Sequence, residues 1–478
     1  VSRFIEGEPR AQSVLFPESL DEWITPDNPV RVVDVFVEEL DLQEMGFERA
    51  MPAETGRPGY HPATLLKIYI YGYLNRIQSS RRLEREAQRN LELVWLTGRL
   101  MPDFKTIADF RRDNGKAISH VCARFVAVCR EMKLFTEAMV AVDGSKFKAV
   151  NHRDRNFTER KVESRIAHLE KSVKQYLNDL DRADRLPSTL PAARVEQLEG
   201  KIAAVKAEIH KLRDVQKQLP TVLDGQISVT DPDARSMNSA GKGTGIVGYN
   251  VQTAVDTKNH LIVAHEVTNV GHDRTHLTPM AKSAREAMGK KHLRVLADRG
   301  YFKGEQILEC EQAGMTPLVP KALTSGGKAD GRFDKRDFHY DARRDVYRCP
   351  AGEKAIWRFS AVEHGMKISR YWASACPRCP LKARCTPSPY RRISRWEHEA
   401  VLDAMQRRLE HTPEASRWRR QTVEHPFGTI KSWMGSTHFL TKTLPRVRTE
   451  MSLQVLAYNL KRVMSLIGVQ PLIAAIAR

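Results

Sequence analysis

A carboxylate in the middle of an apolar, β-branched run restricts a chain to few arrangements. Residues 138–150, AMVAVDGSKFKAV, place Val140 and Val142 just ahead of Asp143 and read as a strand. A charge at that position is poorly tolerated in a core, so Asp143 needs a partner or a task. VGYNVQTAV and HLIVAHEVTNV flank DTKN and read as a hairpin. A helix follows, capped by Asp273 or Thr275 and running to about Met288. Then come a short strand in LRVLADRGYF ending in Asp298, the helix KGEQILECEQAG and the strand MTPLVP. This order predicts an α/β fold, a mixed sheet flanked by helices. It also puts Asp298 at the C-terminal end of a strand, where open α/β sheets carry their sites.

The rest of the chain divides around that sheet. Residues 1–56 form an acidic segment, with 13 acids against 4 Lys and Arg, and hold one amphipathic helix with Val30, Val33, Val37 and Leu40 on a stripe. Residues 57–135 read as all helix, with Ser79 or Ser80 and Asp103 or Thr106 as caps. The balance reverses there: residues 57–130 carry 14 Lys and Arg against 6 acids. Short basic helices joined by tight turns suit DNA contact, although a helical domain with a wet basic face has the same letters. Residues 136–157 and 219–324 supply the sheet. Between them, residues 158–218 read as an antiparallel helical hairpin, its arms separated by PSTLP at 187–191. Val162, Ile166, Leu169, Val173, Leu177 and Leu180 step by three and four on one arm; Val195, Leu198, Ile202, Val205, Ile209 and Leu212 do so on the other. Residues 325–395 are a Cys-rich insert, and residues 396–478 return to helices.

A third acid stands out in RWRRQTVEHPFGTIK, residues 417–431. On a helix, Arg417, Arg420, Glu424 and Lys431 share one face, three cations around a single carboxylate. Such a face suits a site holding a divalent cation and a phosphate backbone together, and a solvated face with an incidental Glu is the alternative. Asp143, Asp298 and Glu424 converging from two strands and a helix could hold two Mg²⁺ or Mn²⁺ ions for phosphoryl transfer.

Cys349, Cys376, Cys379 and Cys385 are spaced C-x26-C-x2-C-x5-C, and CPRCPLKARC has the look of a zinc knuckle; reduced, unliganded cysteines are the alternative. Cys122, Cys129 and Cys310 fall on apolar helix faces and read as core. Gly243-x-Gly245-x-x-Gly248 leads into a strand rather than a helix and reads as a turn, not a dinucleotide loop. His265, His272 and His276 have no metal-binding context and read as ordinary polar residues. The net charge of +19 calls for a polyanionic partner, most simply double-stranded DNA. With no apolar run of spanning length and no signal-peptide pattern, a cytoplasmic protein without membrane contact is expected.

These pieces resemble a DDE transposase of a bacterial insertion sequence. AVDGSKF resembles the family's first-aspartate strand and ADRGYF its second-aspartate motif. Arg420, Glu424 and Lys431 match its Tyr-x2-Arg-x3-Glu-x6-Lys signature, with Arg417 in place of the Tyr. GRPGYHPATLLKIYIYGYLNRI…FRRDN resembles an InsH-type N-terminal domain, and AYNLKR the usual C-terminal helix. The resemblance implies a ribonuclease H-like core with Asp143, Asp298 and Glu424 as Mg²⁺ ligands. It further implies that Arg420 and Lys431 contact DNA phosphate near the cut or orient Glu424, and it implies a homodimer on paired terminal inverted repeats, cleavage at those ends and strand transfer into target DNA. A DNA-binding repressor descended from such an enzyme, or a related nuclease or resolvase, are the rival readings.

Overall fold

The computed structural model describes residues 19–51, 58–150, 155–185, 192–222, 224–237, 245–321 and 330–477. The helical part begins with α1 (Pro29–Glu38), where Asn28 accepts a hydrogen bond from the Val30 N–H and Pro29 occupies the first turn. It continues through α2 (Pro62–Leu74), α3 (Ser80–Ala87), α4 (Leu91–Leu96), α5 (Phe104–Asp113) and α6 (Gly115–Glu131). Asp103 caps α5, accepting from the Lys105 and Thr106 N–H groups, while Ser79 stands at the start of α3 without a side-chain cap bond. Helix α2 is buried on nearly every side, including Lys67. That lysine is stable there because its ammonium meets Asp34 at 2.6 Å and also Glu38, both on α1. Phe36 of α1 packs edge-on against Phe125 of α6, ring centres 5.3 Å apart. The acidic segment is therefore not a separate piece: α1 closes the same core as the basic helices.

The chain then enters β1 (Met139–Lys148), which pairs with the strands that follow the helical hairpin. β2 (Asn156–Thr158) and β3 (Gln226–Ser228) pair antiparallel at the base of the hairpin formed by α7 (Glu159–Arg185) and α8 (Ala192–Gln218). Val162, Ile166, Leu169 and Val173 share a core with Val205, Ile209, Leu212 and Val215, separate from the main one. The seam fades outward: Leu177 is 44% exposed. The PSTLP break and Gly243 lie outside the described residues.

After β4 (Arg235–Met237), the hairpin β5 (Ile246–Asp256) and β6 (Ile262–Thr268), helix α9 (Leu277–Met288) leads to β7 (Leu293–Leu296), α10 (Gly304–Gln312) and β8 (Met315–Leu318). The sheet runs β4-β5-β1-β7-β8, with β6 also paired to β5. β1 is antiparallel to β5 and parallel to β7, and β7 is parallel to β8. This is the mixed sheet with flanking helices anticipated from the order of elements. One cap was misplaced: His276, not Asp273 or Thr275, occupies the N-cap of α9. Gly248 lies inside β5, where a Cβ would come within 1.9 Å of the Phe147 carbonyl oxygen, so glycine permits the close pairing of β5 with β1.

The Cys-rich insert is a second, antiparallel sheet: β9 (His339–Asp341), β10 (Val346–Arg348), β11 (Lys354–Glu363), β12 (Met366–Trp372) and β13 (Ile393–Trp396). Helices α11 (Glu399–Glu410), α12 (Ala415–Gly428), α13 (Leu444–Ile467) and α14 (Val469–Ile476) complete the fold, a π-helical turn at Thr429–Trp433 extending α12. α13 runs through the main core. One of its buried polar groups ties it to the sheet: Asn459 accepts from the Ile262 N–H at 2.9 Å and donates to the Ile262 carbonyl at 2.8 Å, capping β6 like a neighbouring strand. No helix among the described residues is long and apolar enough to cross a membrane.

Candidate active site

Side chains alternate along β1, and the two faces do different things. Ala141, Asp143, Ser145 and Phe147 face α12. The parallel register pairs Ala141 with Leu296, so two residues further along both chains brings Asp143 level with Asp298. Asp298 has just left β7 and caps a short turn, accepting from the Gly300 N–H at 2.8 Å. Burial pushes the Asp143 acid up to about 6; Asp298 and Asp273 add to the rise, and Arg419 and the Gly144 N–H oppose it.

Helix α12 lies over this face because Arg419, Val423 and Phe427 recur at i, i+4 and i+8. Val423 packs with Ala141 and Leu296, and Phe427 meets Phe147 with ring centres 6.3 Å apart. The Arg419 guanidinium then stands 3.0 Å from Asp143 Oδ2, an ion pair without hydrogen-bond geometry. At the other end, Lys431 Nζ donates to Ser145 Oγ at 2.6 Å and to the Lys146 carbonyl at 3.0 Å, and lies 4.5 Å from the centre of the Phe147 ring. Lys431 is thus anchored to β1 rather than extended toward solvent. Arg420 is exposed and lines a cleft of about 290 Å³ together with Asp298, Arg299 and Arg419. The side chains of Glu424 and Arg417 are both exposed and make no hydrogen bond or ion pair among the described residues. Glu424 lies on α12 between the Arg419 and Lys431 anchors. Its neighbour His425 shares a hydrogen bond of 2.9 Å with Tyr458, whose hydroxyl donates to the His260 carbonyl at 2.6 Å.

The opposite face of β1 carries a polar cluster that sequence reading missed. Asp273 Oδ1 accepts from Gln252 Nε2 at 2.7 Å and Asn250 Nδ2 at 2.8 Å, with Lys146 Nζ at 3.5 Å. Tyr301, the tyrosine of ADRGYF, donates to Gln252 Oε1. A Cβ on Gly144 would lie 2.3 Å from Gln252 Nε2 and 2.6 Å from Asp273 Oδ1, so the glycine after Asp143 makes room for this cluster. Arg419 was legible in principle, since Val423 and Phe427 extend a stripe back to it. Asp273 was not, because its partners come from other strands.

The remaining candidates sort simply. Cys349, Cys376, Cys379 and Cys385 line one small cavity of the insert. Cys122, Cys129 and Cys310 are buried, as expected of core residues. His265 is half-buried, bonds Ser452 Oγ at 3.0 Å, and has its pKa pushed down to about 4 by desolvation. Among the described residues, no three His, Cys, Asp or Glu side chains already form a group that could hold a metal ion unaided. The donor chemistry nevertheless suits a hard dication: two level aspartates, one largely buried, repel each other, and a bound cation would relieve that repulsion.

Two family models match the chain. The transposase domain model DUF772 covers residues 18–113, and the transposase DDE domain model covers residues 216–460, just over half the chain. The chain belongs to the DDE transposase family. It is a DNA transposase of the insertion-sequence type, an enzyme that cleaves and joins DNA, and DNA is its partner. The family generally uses divalent metal ions. Among solved structures, a piggyBac transposase synaptic complex with hairpin DNA aligns over 95% of this chain and 79% of that one, at 8% identity and a TM-score of 0.31, too distant to bear on the transposase's fold. A comparison with curated proteins found no match.

Proposed function

We propose that the sheet is a ribonuclease H-like core in which Asp143, Asp298 and Glu424 hold Mg²⁺, or Mn²⁺, against DNA at the ends of the mobile element. The observation that carries this reading is the level placement of Asp143 and Asp298 beneath a helix pinned to β1 at both ends. Glu424 is the acid on that helix, and its carboxylate has no partner among the described residues. When bound, the metal supplies an activated water or 3′-hydroxyl and neutralises charge on the leaving oxygen. Asp143 and Asp298 fix the position of the reacting phosphate relative to the sheet. Arg420 and Arg299, open at the cleft, bind backbone phosphates, and Arg417 extends that contact along α12. Lys431 acts by positioning, holding the helix in register on Ser145. The basic helices of residues 57–135 grip the terminal repeats, and two copies assemble on paired ends before strand transfer.

Glu424→Gln tests the reading. DNA binding should persist while Mg²⁺-dependent cleavage of transposon-end DNA falls by roughly a hundredfold or more. Cleavage at the rate of the unaltered enzyme would remove Glu424 from the site.

A further inference from the structure

The insert carries a feature that DNA cleavage does not use. Its sheet is built on a small core, six buried residues: Phe338, Tyr347, Ala355, Tyr371, Ala373 and Ile393. Ile356, Trp357, Phe359 and Val362 of β11 stay 42–73% exposed, so much of its apolar surface is unused. Units with so little core are usually fastened by disulfides or by a metal. No disulfide is present: all four cysteines of the insert are free.

Those four cysteines are brought together from separate turns. Cys349 opens the Cys-Pro-Ala-Gly turn joining β10 to β11, where the Gly352 N–H bonds the Cys349 carbonyl at 2.9 Å and Gly352 takes φ +82°. Cys376 and Cys379 sit in a Cys-Pro-Arg-Cys turn of the same kind after β12, the Cys379 N–H bonding the Cys376 carbonyl at 3.3 Å. Cys385 ends the next turn, its N–H bonded to the Lys382 carbonyl at 3.0 Å. All four line one cavity of about 30 Å³, room for one small occupant. Its wall is mostly apolar, with Lys382 and Arg391 among the few polar groups.

We propose that this cavity is a structural zinc site with Cys349, Cys376, Cys379 and Cys385 as its four ligands. Four sulfurs favour a soft or borderline cation, and a closed four-sulfur set leaves no open position for catalysis. Each thiol releases its proton to solvent as its sulfur turns inward to about 2.3 Å from the metal. The completed site carries two negative charges, which Lys382 and Arg391 offset. Zinc thereby replaces the missing core of the insert and holds the β10–β11 turn against the segment that follows β12. None of this depends on how the DNA is cut.

The test is metal analysis of the full-length protein purified without chelator. One zinc per chain is expected. Replacing both Cys376 and Cys379 by Ser should abolish it, whereas Cys122→Ser and Cys310→Ser, buried elsewhere, should leave it at one. To separate loss of the site from loss of the insert's fold, unaltered protein is also stripped and reconstituted with Co²⁺, which should give thiolate-to-cobalt charge-transfer absorption. Metal-free protein that also yields no such absorption overturns the proposal, as does zinc retained after loss of Cys376 and Cys379.

Discussion

Asn459 offers the sharpest test of how the catalytic sheet is held. It is 1% exposed and serves a single backbone residue, bonding both the N–H and the carbonyl of Ile262, which is itself fully buried. Asn459→Ala removes both partners at once. Each orphaned backbone group costs about 1–3 kcal/mol, and water entering the vacated space favours the lower half of that range, so the loss is about 2–4 kcal/mol. The chain has several separate cores, so a single unfolding energy would blur the effect. Amide exchange followed by mass spectrometry reads it locally: peptides spanning β6 should exchange roughly 30- to 1,000-fold faster, with the α7–α8 hairpin as an unaffected reference. Asn459→Leu restores volume without the hydrogen bonds and should accelerate exchange to a similar degree. If the Leu variant is protected like the unaltered chain, packing rather than hydrogen bonding holds this edge, and the reasoning fails.

Gly248→Ala should prevent β5 from seating against β1, because the clash is with a backbone oxygen that cannot step aside; a thermal midpoint unchanged from the parent would contradict this. Asp256, buried beside the β5–β6 turn, has its acid pushed up to about 6 from 3.8, mainly by burial. An acid raised in the folded state stabilises at low pH, and that contribution is lost as pH rises through 6. Asp256→Asn should therefore stabilise by up to about 3 kcal/mol at pH 8 and hardly at all below pH 4, and an equal effect at both would refute the assignment. Arg417→Ala and Arg420→Ala, both at exposed cations, should each reduce the salt dependence of DNA binding by about one unit of log–log slope, whereas an unaltered slope would place the DNA elsewhere.

The order of strands and helices was readable because each element carried its own period and its own punctuation. Val140 and Val142 ahead of Asp143, the DTKN turn and the glycine after Asp298 are all local signals. The level placement of Asp143 and Asp298 was not local. It depends on the parallel register of β1 on β7, which no spacing of 155 residues encodes. Reading α12 as a basic face found Arg420 and Lys431 but left open whether Lys431 contacts DNA phosphate or orients Glu424, because the hydroxyl and carbonyl that receive it belong to a strand 285 residues earlier. Tyr249 and Asn250, read only as part of the hairpin strand VGYNVQTAV, gain a role from tertiary contact. The Tyr249 hydroxyl bonds the buried Asp231 carboxylate at 2.9 Å, and Asn250 bonds Asp273. Asp273 itself was read as a helix cap, the commonest use of an Asp before a helix, and tertiary partners outbid that local preference.

The position of Glu424 follows from packing, since its carboxylate has no partner among the described residues to hold it. What fixes it is the rotational phase of α12. Val423 and Phe427 set that phase from below, Arg419 and Lys431 from the two ends, and the Tyr458 hydroxyl from behind through His425. Tyr458 belongs to α13, which also carries the Asn459 that caps β6, so the helix bearing the third acid and the edge of the sheet bearing the first are held by adjacent residues of one core helix. A carboxylate without a protein partner on a firmly held helix is what a metal ligand requires before its metal arrives: a partner would compete for its oxygens, and a loose helix would add an ordering cost to every encounter with DNA.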